Sequence, residues 1–180
     1  HIASARSIPN LAVIRPADAE ETKEAWLAAL ARKDGPTLLS LTRQDVPILA
    51  RSAGNGADNL LKGAYIVREP DGKPDIVILA SGSEVHISIA AADELAAQNI
   101  RARVVSFPCW ELFEEQTAKY RLEVLPHGTP KCVVEAGIRM GWEKYAGPHA
   151  LYITMEQFGV SGPAKALAEH FGFTKENIVN

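Results

Sequence analysis

Arg43 is the residue whose type and position most clearly suggest chemistry. It stands in the LTRQ segment 41–44, directly after the apolar run 37–42, which predicts a β-strand. Ligands of open α/β sheets bind outside the carboxyl ends of the strands, and a guanidinium offers paired donors to a phosphate or carboxylate. The position is therefore a candidate anion site. The alternative is a surface or interface arginine paired with a nearby acid such as Asp45.

Two other polar segments also follow predicted strands. The SGSE segment 81–84 precedes a predicted helix, whose N–H groups and dipole could hold an anion, although helix capping by Ser81 or Ser83 explains the same residues. Glu135 ends another apolar run. Its carboxylate could act as an acid or base, or could fix a neighbouring loop by hydrogen bonding. The residues alone leave these alternatives open.

The remaining reactive residue types form no recognisable site. The five His residues show no i, i+4 pairing and no HExxH motif, so no metal site is expected, and no GxSxG nucleophile elbow occurs. Cys109 and Cys132 lie in or beside apolar runs and are predicted to be core residues. Trp26, Trp110 and Trp142 are predicted to be core or interface anchors.

The composition excludes several classes of protein. The 180 residues are 47% hydrophobic and 23% charged, with a formal net charge of −3, which is typical of a globular protein. No Lys/Arg cluster indicates binding to nucleic acid or to an anionic membrane, and no apolar run approaches the ~20 residues that span a bilayer. Two Cys without a CxxC pair indicate neither a disulfide framework nor a zinc site, which favours a reducing cytoplasm.

The first part of the chain predicts a strand–helix–strand unit. The strands are residues 10–15 and 37–42. Between them, Asp18 and Glu21 match a helix N-cap and its capping-box partner, and apolar residues recur at helical spacing as far as about residue 33. Such a unit pairs its strands in parallel. Because residues 1–45 are too few for a stable domain, they are interpreted as the end of an α/β domain whose beginning is missing.

Residues 46–63 are interpreted as a linker, and residues 64–180 alternate strands with helices. This alternation predicts an α/β fold with a mostly parallel open sheet flanked by helices. The short connection 70–74 allows a hairpin, so one antiparallel edge strand is expected. Gly172 is predicted to end a helix and Thr174 to cap a final short one. The predicted strands are 64–69, 75–80, 103–106, 131–135 and 150–155, and the longer helices are about 84–98 and 163–170.

Several motifs, taken in order, resemble the C-terminal part of a transketolase, a thiamine-diphosphate enzyme. The resemblance covers essentially the whole chain. The β chain of pyruvate dehydrogenase shares this layout but typically differs at the strand end that holds Arg43, which favours the transketolase family. The motifs are IPNL 8–11, RPAD 15–18, DGPT 34–37, LTRQ 41–44, ASGSEV 80–85, VEAG 134–137 and FGFT 171–174.

The resemblance implies a function for the intact protein. Transketolases transfer a two-carbon ketol unit from a ketose phosphate to an aldose phosphate, using thiamine diphosphate and a divalent cation (Mg or Ca), as cytoplasmic homodimers. Residues 1–45 would then belong to the pyrimidine-binding domain and residues 64–180 to the C-terminal domain. Arg43 matches the arginine that binds the substrate phosphate.

The same resemblance implies that most of the active site is missing. The metal-binding Gly-Asp-Gly…Asn segment, the glutamate that pairs with the aminopyrimidine and the substrate-contacting His-Asp segment are absent from the sequence. His1 follows the last catalytic histidine of the family and does not inherit its role. The isolated chain is therefore expected to be inactive, with no catalytic, cofactor-binding or metal-binding residue and no bound cofactor.

Two alternatives remain. The chain could be a non-enzymatic interaction or regulatory module with an anion site at 81–84, or the C-terminal part of another thiamine-diphosphate enzyme. An exposed apolar edge around residues 10–14 and 37–41 would favour a fragment, whereas a sealed edge would favour the module.

Overall fold

The chain forms two α/β units, and the computed structural model describes residues 1–51 and 54–180. In the first unit, a short helix α1 (Ile2–Arg6) precedes strand β1 (Ala12–Ile14). Helix α2 (Ala19–Ala31) then leads to strand β2 (Thr37–Leu39), which pairs with β1 in parallel. The predicted strand–helix–strand unit is therefore confirmed.

The second unit is a five-strand sheet flanked by helices, which confirms the expected α/β fold. The strand order is β3-β5-β4-β6-β7, and all neighbours are parallel except the edge strand β3. The strands are β3 (Tyr65–Arg68), β4 (Ile76–Ala80), β5 (Ala102–Ser106), β6 (Lys131–Glu135) and β7 (Leu151–Thr154). The helices are α3 (Glu84–Ala97), α4 (Trp110–Glu114), α5 (Ala118–Val124), α6 (Glu143–Ala146), α7 (Ala164–Phe171) and α8 (Lys175–Val179).

The antiparallel edge strand is present, but the hairpin predicted for it is wrong. Strand β3 pairs with β5, opposing Tyr65 to Ser106, and not with β4, the next strand along the chain. Both edges of β4 are occupied by β5 and β6. Its residues 77–80 are fully buried, and strands with that apolar run occupy the centre of a parallel sheet.

Several helix ends predicted from local residue types are confirmed. The Asp18 side chain accepts a hydrogen bond from the Glu21 N–H at 2.9 Å and so caps α2. Gly172 ends α7 in the left-handed conformation, and the Thr174 hydroxyl caps α8. Glu21 departs from the capping box, because its carboxylate accepts from the Ala17 N–H and not from Asp18.

Part of the predicted linker is ordered and packed. A 3-10 helix (Ala57–Lys62) lies within residues 46–63, and Leu60 is fully buried in a cluster with Ile14, Ala25 and Cys109. The 3-10 helix therefore contributes to the core between the two units. Ser52 and Ala53, also in the predicted linker, lie outside the described residues.

The sheet carries a hydrophobic layer on each face, because alternate strand residues point to opposite sides. Val77 and Val133 belong to one layer, whereas Ile78 and Val134 belong to the other. Cys109 and Cys132 are buried free thiols, as expected. No helix in the described part of the chain is long and apolar enough to cross a membrane.

The tryptophans divide between the core and the surface. Trp142 is fully buried and meets Trp110 edge to face at 5.1 Å, as predicted for core anchors. Trp26 is 53% exposed on α2, so it is not a core residue of this chain. Strand β1 is buried, but the side chains of Leu38 in β2 and of Leu41 beyond it are exposed, so segment 37–41 is partly open and segment 12–14 is not.

Gly63 is a position where the backbone leaves no room for a side chain. Its φ is +80°, and a Cβ there would collide with the backbone of Phe113 and Cys109. We expect Gly63→Ala to lower the free energy of unfolding by about 3 kcal/mol. The control is Gly128→Ala, where φ is +74° and nothing lies within 4 Å, and this variant should lose only about 1 kcal/mol. Equal losses in urea unfolding would show that the close approach does not matter.

Candidate functional site

A cleft of about 390 Å³ lies between the loop that follows β2 and the second unit. Arg43 and its neighbours form one wall. Ser83 and Glu84 at the start of α3, Ala136 after β6 and Phe171 of α7 contribute to the other. The structure therefore brings all three polar segments singled out in the sequence to the same end of the molecule, with Arg43 facing the cleft and Glu135 buried beneath it.

Arg43 itself lies in a loop and not at a strand end. Strand β2 ends at Leu39 because β1 ends at Ile14 and offers no further partner. The last hydrogen bond between the two segments runs from the Ser40 N–H to the Ile14 carbonyl, at 2.8 Å. Arg43 is exposed, and with the described residues it forms neither a hydrogen bond nor an ion pair. The alternative pairing with Asp45 is not seen, so the guanidinium is available to a ligand.

The floor of the cleft is a buried charge cluster that joins the two units. The Arg15 Nη1 donates to the Ser81 carbonyl at 2.9 Å and to the Glu84 carboxylate, and lies 3.4 Å from the Glu135 carboxylate. Burial alone would lower the pKa of Arg15, but the two carboxylates outweigh it and raise that pKa above its ordinary value. Arg15 therefore stays charged and is already neutralised by protein groups.

Neither serine caps α3 with its side chain, so that prediction is wrong. Ser83 occupies the N-cap position, but its hydroxyl donates to Glu84 at 2.6 Å. The Ser81 hydroxyl donates to Glu135 at 2.7 Å. Glu84 also accepts from the Ala136 N–H at 3.0 Å, which ties the start of α3 to the end of β6. These hydrogen bonds connect the polar groups to one another in the interior.

Glu135 is fully buried and does not reach the cleft. In addition to its contacts with Ser81 and Arg15, the Glu135 carboxylate lies 3.5 Å from the Arg6 guanidinium. That guanidinium packs 3.9 Å from the centroid of the Trp110 ring. Of its two sequence alternatives, this geometry fits hydrogen bonding that fixes the structure and not acid–base catalysis.

A second polar network begins at the N-cap of α2. Two Asp18 oxygens accept from the Arg51 guanidinium at 2.8 and 3.0 Å, and one also accepts from the Leu49 N–H at 2.8 Å. Burial would raise the pKa of Asp18, but the hydrogen bonds from Arg51, Glu21 and Leu49 together lower it. The carboxylate is thus held in its charged form and fixes the chain at residues 49–51.

Glu21 continues this network into the second unit. It is fully buried, and one carboxylate oxygen accepts from Tyr65 at 2.8 Å and from Ser106 at 2.6 Å. Burial raises the pKa of Glu21 in spite of these hydrogen bonds. Tyr65 also accepts from Arg51 at 3.1 Å, so β3 and β5 are connected to the N-terminus of α2.

Sequence reasoning missed most of these partners. Arg15 and Asp18 belong to the RPAD motif, which was a signal that could have directed attention to them. The sequence has no such signal at Arg51 and Tyr65, because the side chains with which they form hydrogen bonds are more than ten positions away along the chain.

No group of three or more His, Cys, Asp or Glu side chains suited to a cation occurs within residues 1–51 and 54–180.

Comparisons with known proteins cover the chain from end to end. The family "Transketolase, pyrimidine binding domain" matches residues 1–48, and the family "Transketolase-like TK C-terminal domain" matches residues 63–174. Transketolase of Aquifex aeolicus is 49% identical over 98% of this chain and 26% of its own length. Transketolase of Geobacillus stearothermophilus is 45% identical over 99% of this chain and 27% of its own.

Solved structures agree in fold. Transketolase from Leishmania mexicana superposes with a TM-score of 0.90 at 44% identity, covering 99% of this chain and 25% of that one. Transketolase from Pichia stipitis in complex with sedoheptulose-7-phosphate gives 0.89 at 38% identity, covering 98% and 25%.

These matches define the class of protein: an α/β chain that contains part of a pyrimidine-binding domain and a C-terminal domain of the kind found in thiamine-diphosphate enzymes. The chain belongs to the transketolase family, as its motifs indicated. It spans about a quarter of the length of the curated relatives that it matches.

The buried cluster predicts a large effect on stability when one charge is removed. Glu84→Gln leaves Arg15 partly uncompensated in the interior, so we expect the free energy of unfolding to fall by about 3 kcal/mol. The control is Glu94→Gln on the same helix, which breaks an exposed pair with Lys175 and should cost less than about 1 kcal/mol. Urea unfolding of both variants measures the difference, and equal losses would contradict the role of the cluster.

Proposed function

We propose that this chain is the C-terminal part of a transketolase, which transfers a two-carbon ketol unit from a ketose phosphate to an aldose phosphate with thiamine diphosphate. The observation that carries the proposal is the Arg43 guanidinium, which faces a cleft and has no partner within residues 1–51 and 54–180. The chain's relatives over nearly its full length are transketolases. Another thiamine-diphosphate enzyme would differ in the substrate that it accepts.

Arg43 is suited to hold the phosphate of the sugar. Its forked donors match phosphate oxygens, and it keeps its charge at any working pH. Arg15, the other cation in the cleft lining, is neutralised by Glu84 and Glu135. Among the described residues that line the cleft, Arg43 therefore supplies the positive charge available to a ligand. A contact at the distal phosphate orients the reacting carbonyl without touching it.

The cofactor would be held mainly by other parts of the protein. Thiamine diphosphate supplies the carbanion chemistry of the family. The family match to residues 1–48 covers part of a pyrimidine-binding domain, but the described residues carry no donor cluster for the divalent cation (Mg or Ca) that we propose accompanies it. We derive no catalytic step from this chain. Residues 1–45 would complete the pyrimidine-binding domain and 64–180 the C-terminal domain, joined by 46–63.

We also propose that the intact protein is a cytoplasmic homodimer of the pentose phosphate pathway, binding sugar phosphates and neither nucleic acid nor membrane. The exposed apolar side chains of the first unit support its burial against further protein. The two buried free thiols support a reducing compartment. The apolar side chains are Trp26, Leu27, Leu30, Leu38 and Leu41.

The proposal predicts a selective loss when Arg43 is removed. In the full-length enzyme, Arg43→Ala should raise KM for phosphorylated substrates by about 10- to 100-fold, the equivalent of one charged hydrogen bond. Unphosphorylated sugars should be nearly unaffected. The control is Arg68→Ala, an exposed arginine paired with Asp93, which should change neither KM. Equal losses with both kinds of sugar would contradict the phosphate role.

The isolated chain of 180 residues is expected to be inactive, because it lacks the segments that bind the diphosphate and the metal in the family. A ketol-transfer assay on purified chain, with thiamine diphosphate and Mg²⁺ added, should show no turnover above the protein-free rate. Turnover by material free of longer enzyme would overturn this expectation.

A further inference from the structure

Among the described residues, hydrogen bonds hold the loop that carries Arg43 only at its ends. Residues 41–48 make no hydrogen bond with any other described residue, and most of their side chains are exposed. At the near end, the Ser40 N–H bonds the Ile14 carbonyl. At the far end, the Leu49 N–H bonds Asp18. The position of Arg43 therefore depends on where these two ends are fixed.

The far anchor is the stronger of the two. Asp18 receives both the Leu49 N–H and two donors of Arg51, and the Arg51 Nη1 also donates to the Leu49 carbonyl at 3.2 Å. The side chains of Asp18 and Arg51 are 0% and 8% exposed. A charged pair withdrawn from water keeps a fixed geometry better than an exposed one, because solvent does not compete for its donors.

The Asp18–Arg51 pair is also connected by hydrogen bonds to the unit that forms the opposite wall of the cleft. Arg51 donates to Tyr65 of β3, Tyr65 donates to Glu21, and Glu21 accepts from Ser106 of β5. Those strands belong to the sheet that presents the start of α3 to the cleft. The pair therefore fixes the Arg43 loop relative to the second unit as well as to α2.

We propose that Arg51, acting with Asp18, is a positioning residue that sets the place of Arg43 and thereby the selectivity for phosphorylated sugars. The inference rests on the proposed function, since it assigns Arg43 to the substrate phosphate. It requires no contact between Arg51 and substrate. Release of one end would leave Arg43 in a loop with no hydrogen bond to other described residues, and the guanidinium would move away from the phosphate.

The test is Arg51→Met in the full-length enzyme, which removes the donors and keeps much of the side-chain volume. We expect KM for a phosphorylated ketose to rise by about tenfold, as for a misplaced contact remote from the chemistry. KM and kcat for an unphosphorylated ketose should stay within about twofold of the parent. A loss shared by both sugars would overturn the proposal.

Two controls separate positioning from general damage. Arg101→Met breaks another two-pronged pair, with Asp75, far from the loop, and should leave the KM ratio of the two sugars unchanged. Ile78→Val removes one methyl group from the buried sheet and lowers stability without touching the loop. If either control shifts the ratio as much as Arg51→Met does, the effect belongs to the fold and the proposal fails.

A double-variant cycle distinguishes the two proposals. In the Arg43→Ala background, Arg51→Met should add no further rise in KM for the phosphorylated sugar, because Arg51 acts through Arg43. If Arg43→Ala shifts the ratio and Arg51→Met does not, the positioning role is wrong and the phosphate role stands. If Arg43→Ala shifts nothing, the phosphate role is wrong and the positioning role fails with it.

Amide hydrogen exchange gives a readout that is independent of activity. Arg51→Met should speed exchange at residues 44–49 of the full-length enzyme, while Arg101→Met should leave it as in the parent. Unchanged exchange in Arg51→Met would show that other parts of the protein hold the loop, and would overturn the proposal.

Discussion

The structure depends on keeping a guanidinium charged inside the protein. Arg15 is supplied by the strand–helix–strand unit, and its counter-charges, Glu84 and Glu135, are supplied by the five-strand unit. Separating the units would leave each group without its partner, and an unpaired buried charge is among the most costly defects in a protein interior. The cluster therefore helps to fix the relative placement of the two units, together with the hydrogen bonds that Glu21 accepts from Tyr65 and Ser106 and the apolar contacts around Leu60.

The same cluster determines the electrostatics of the cleft. The two carboxylates beneath it, Glu84 and Glu135, are balanced by the two guanidinium groups of Arg15 and Arg6, so the cluster carries no net charge. Hydrogen bonds from Ser81, Ser83 and the Ala136 N–H also hold these carboxylates. Arg43 lies above this neutral floor without a partner among the described residues. A floor without net charge beneath a guanidinium that has no partner in the described part of the chain would suit a sugar phosphate, because the charge that met the phosphate would not be shared with another protein group.

Features governed by neighbouring residues could be predicted from the sequence, and features governed by distant ones could not. Asp18 capping α2 and Gly172 ending α7 depend on residues within a turn of helix, so local types suffice. The pairing of β3 with β5 depends on competition among strands for the sheet centre, and the short connection 70–74 pointed to the wrong partner. Arg43 was predicted from its residue type, its place after an apolar run and its motif, but the early end of β2, which places Arg43 in a loop, follows from the length of β1. The Arg51 pair gave no local signal.

The central claim is that Arg43 meets the substrate phosphate at the cleft between the two units. The most direct measurement is a crystal structure of the intact enzyme with a ketose phosphate bound. The account predicts a phosphate oxygen within hydrogen-bond distance of the Arg43 guanidinium, with the Arg15 cluster unchanged beneath it. A phosphate bound elsewhere, with Arg43 turned to solvent or paired with a protein carboxylate, would contradict it.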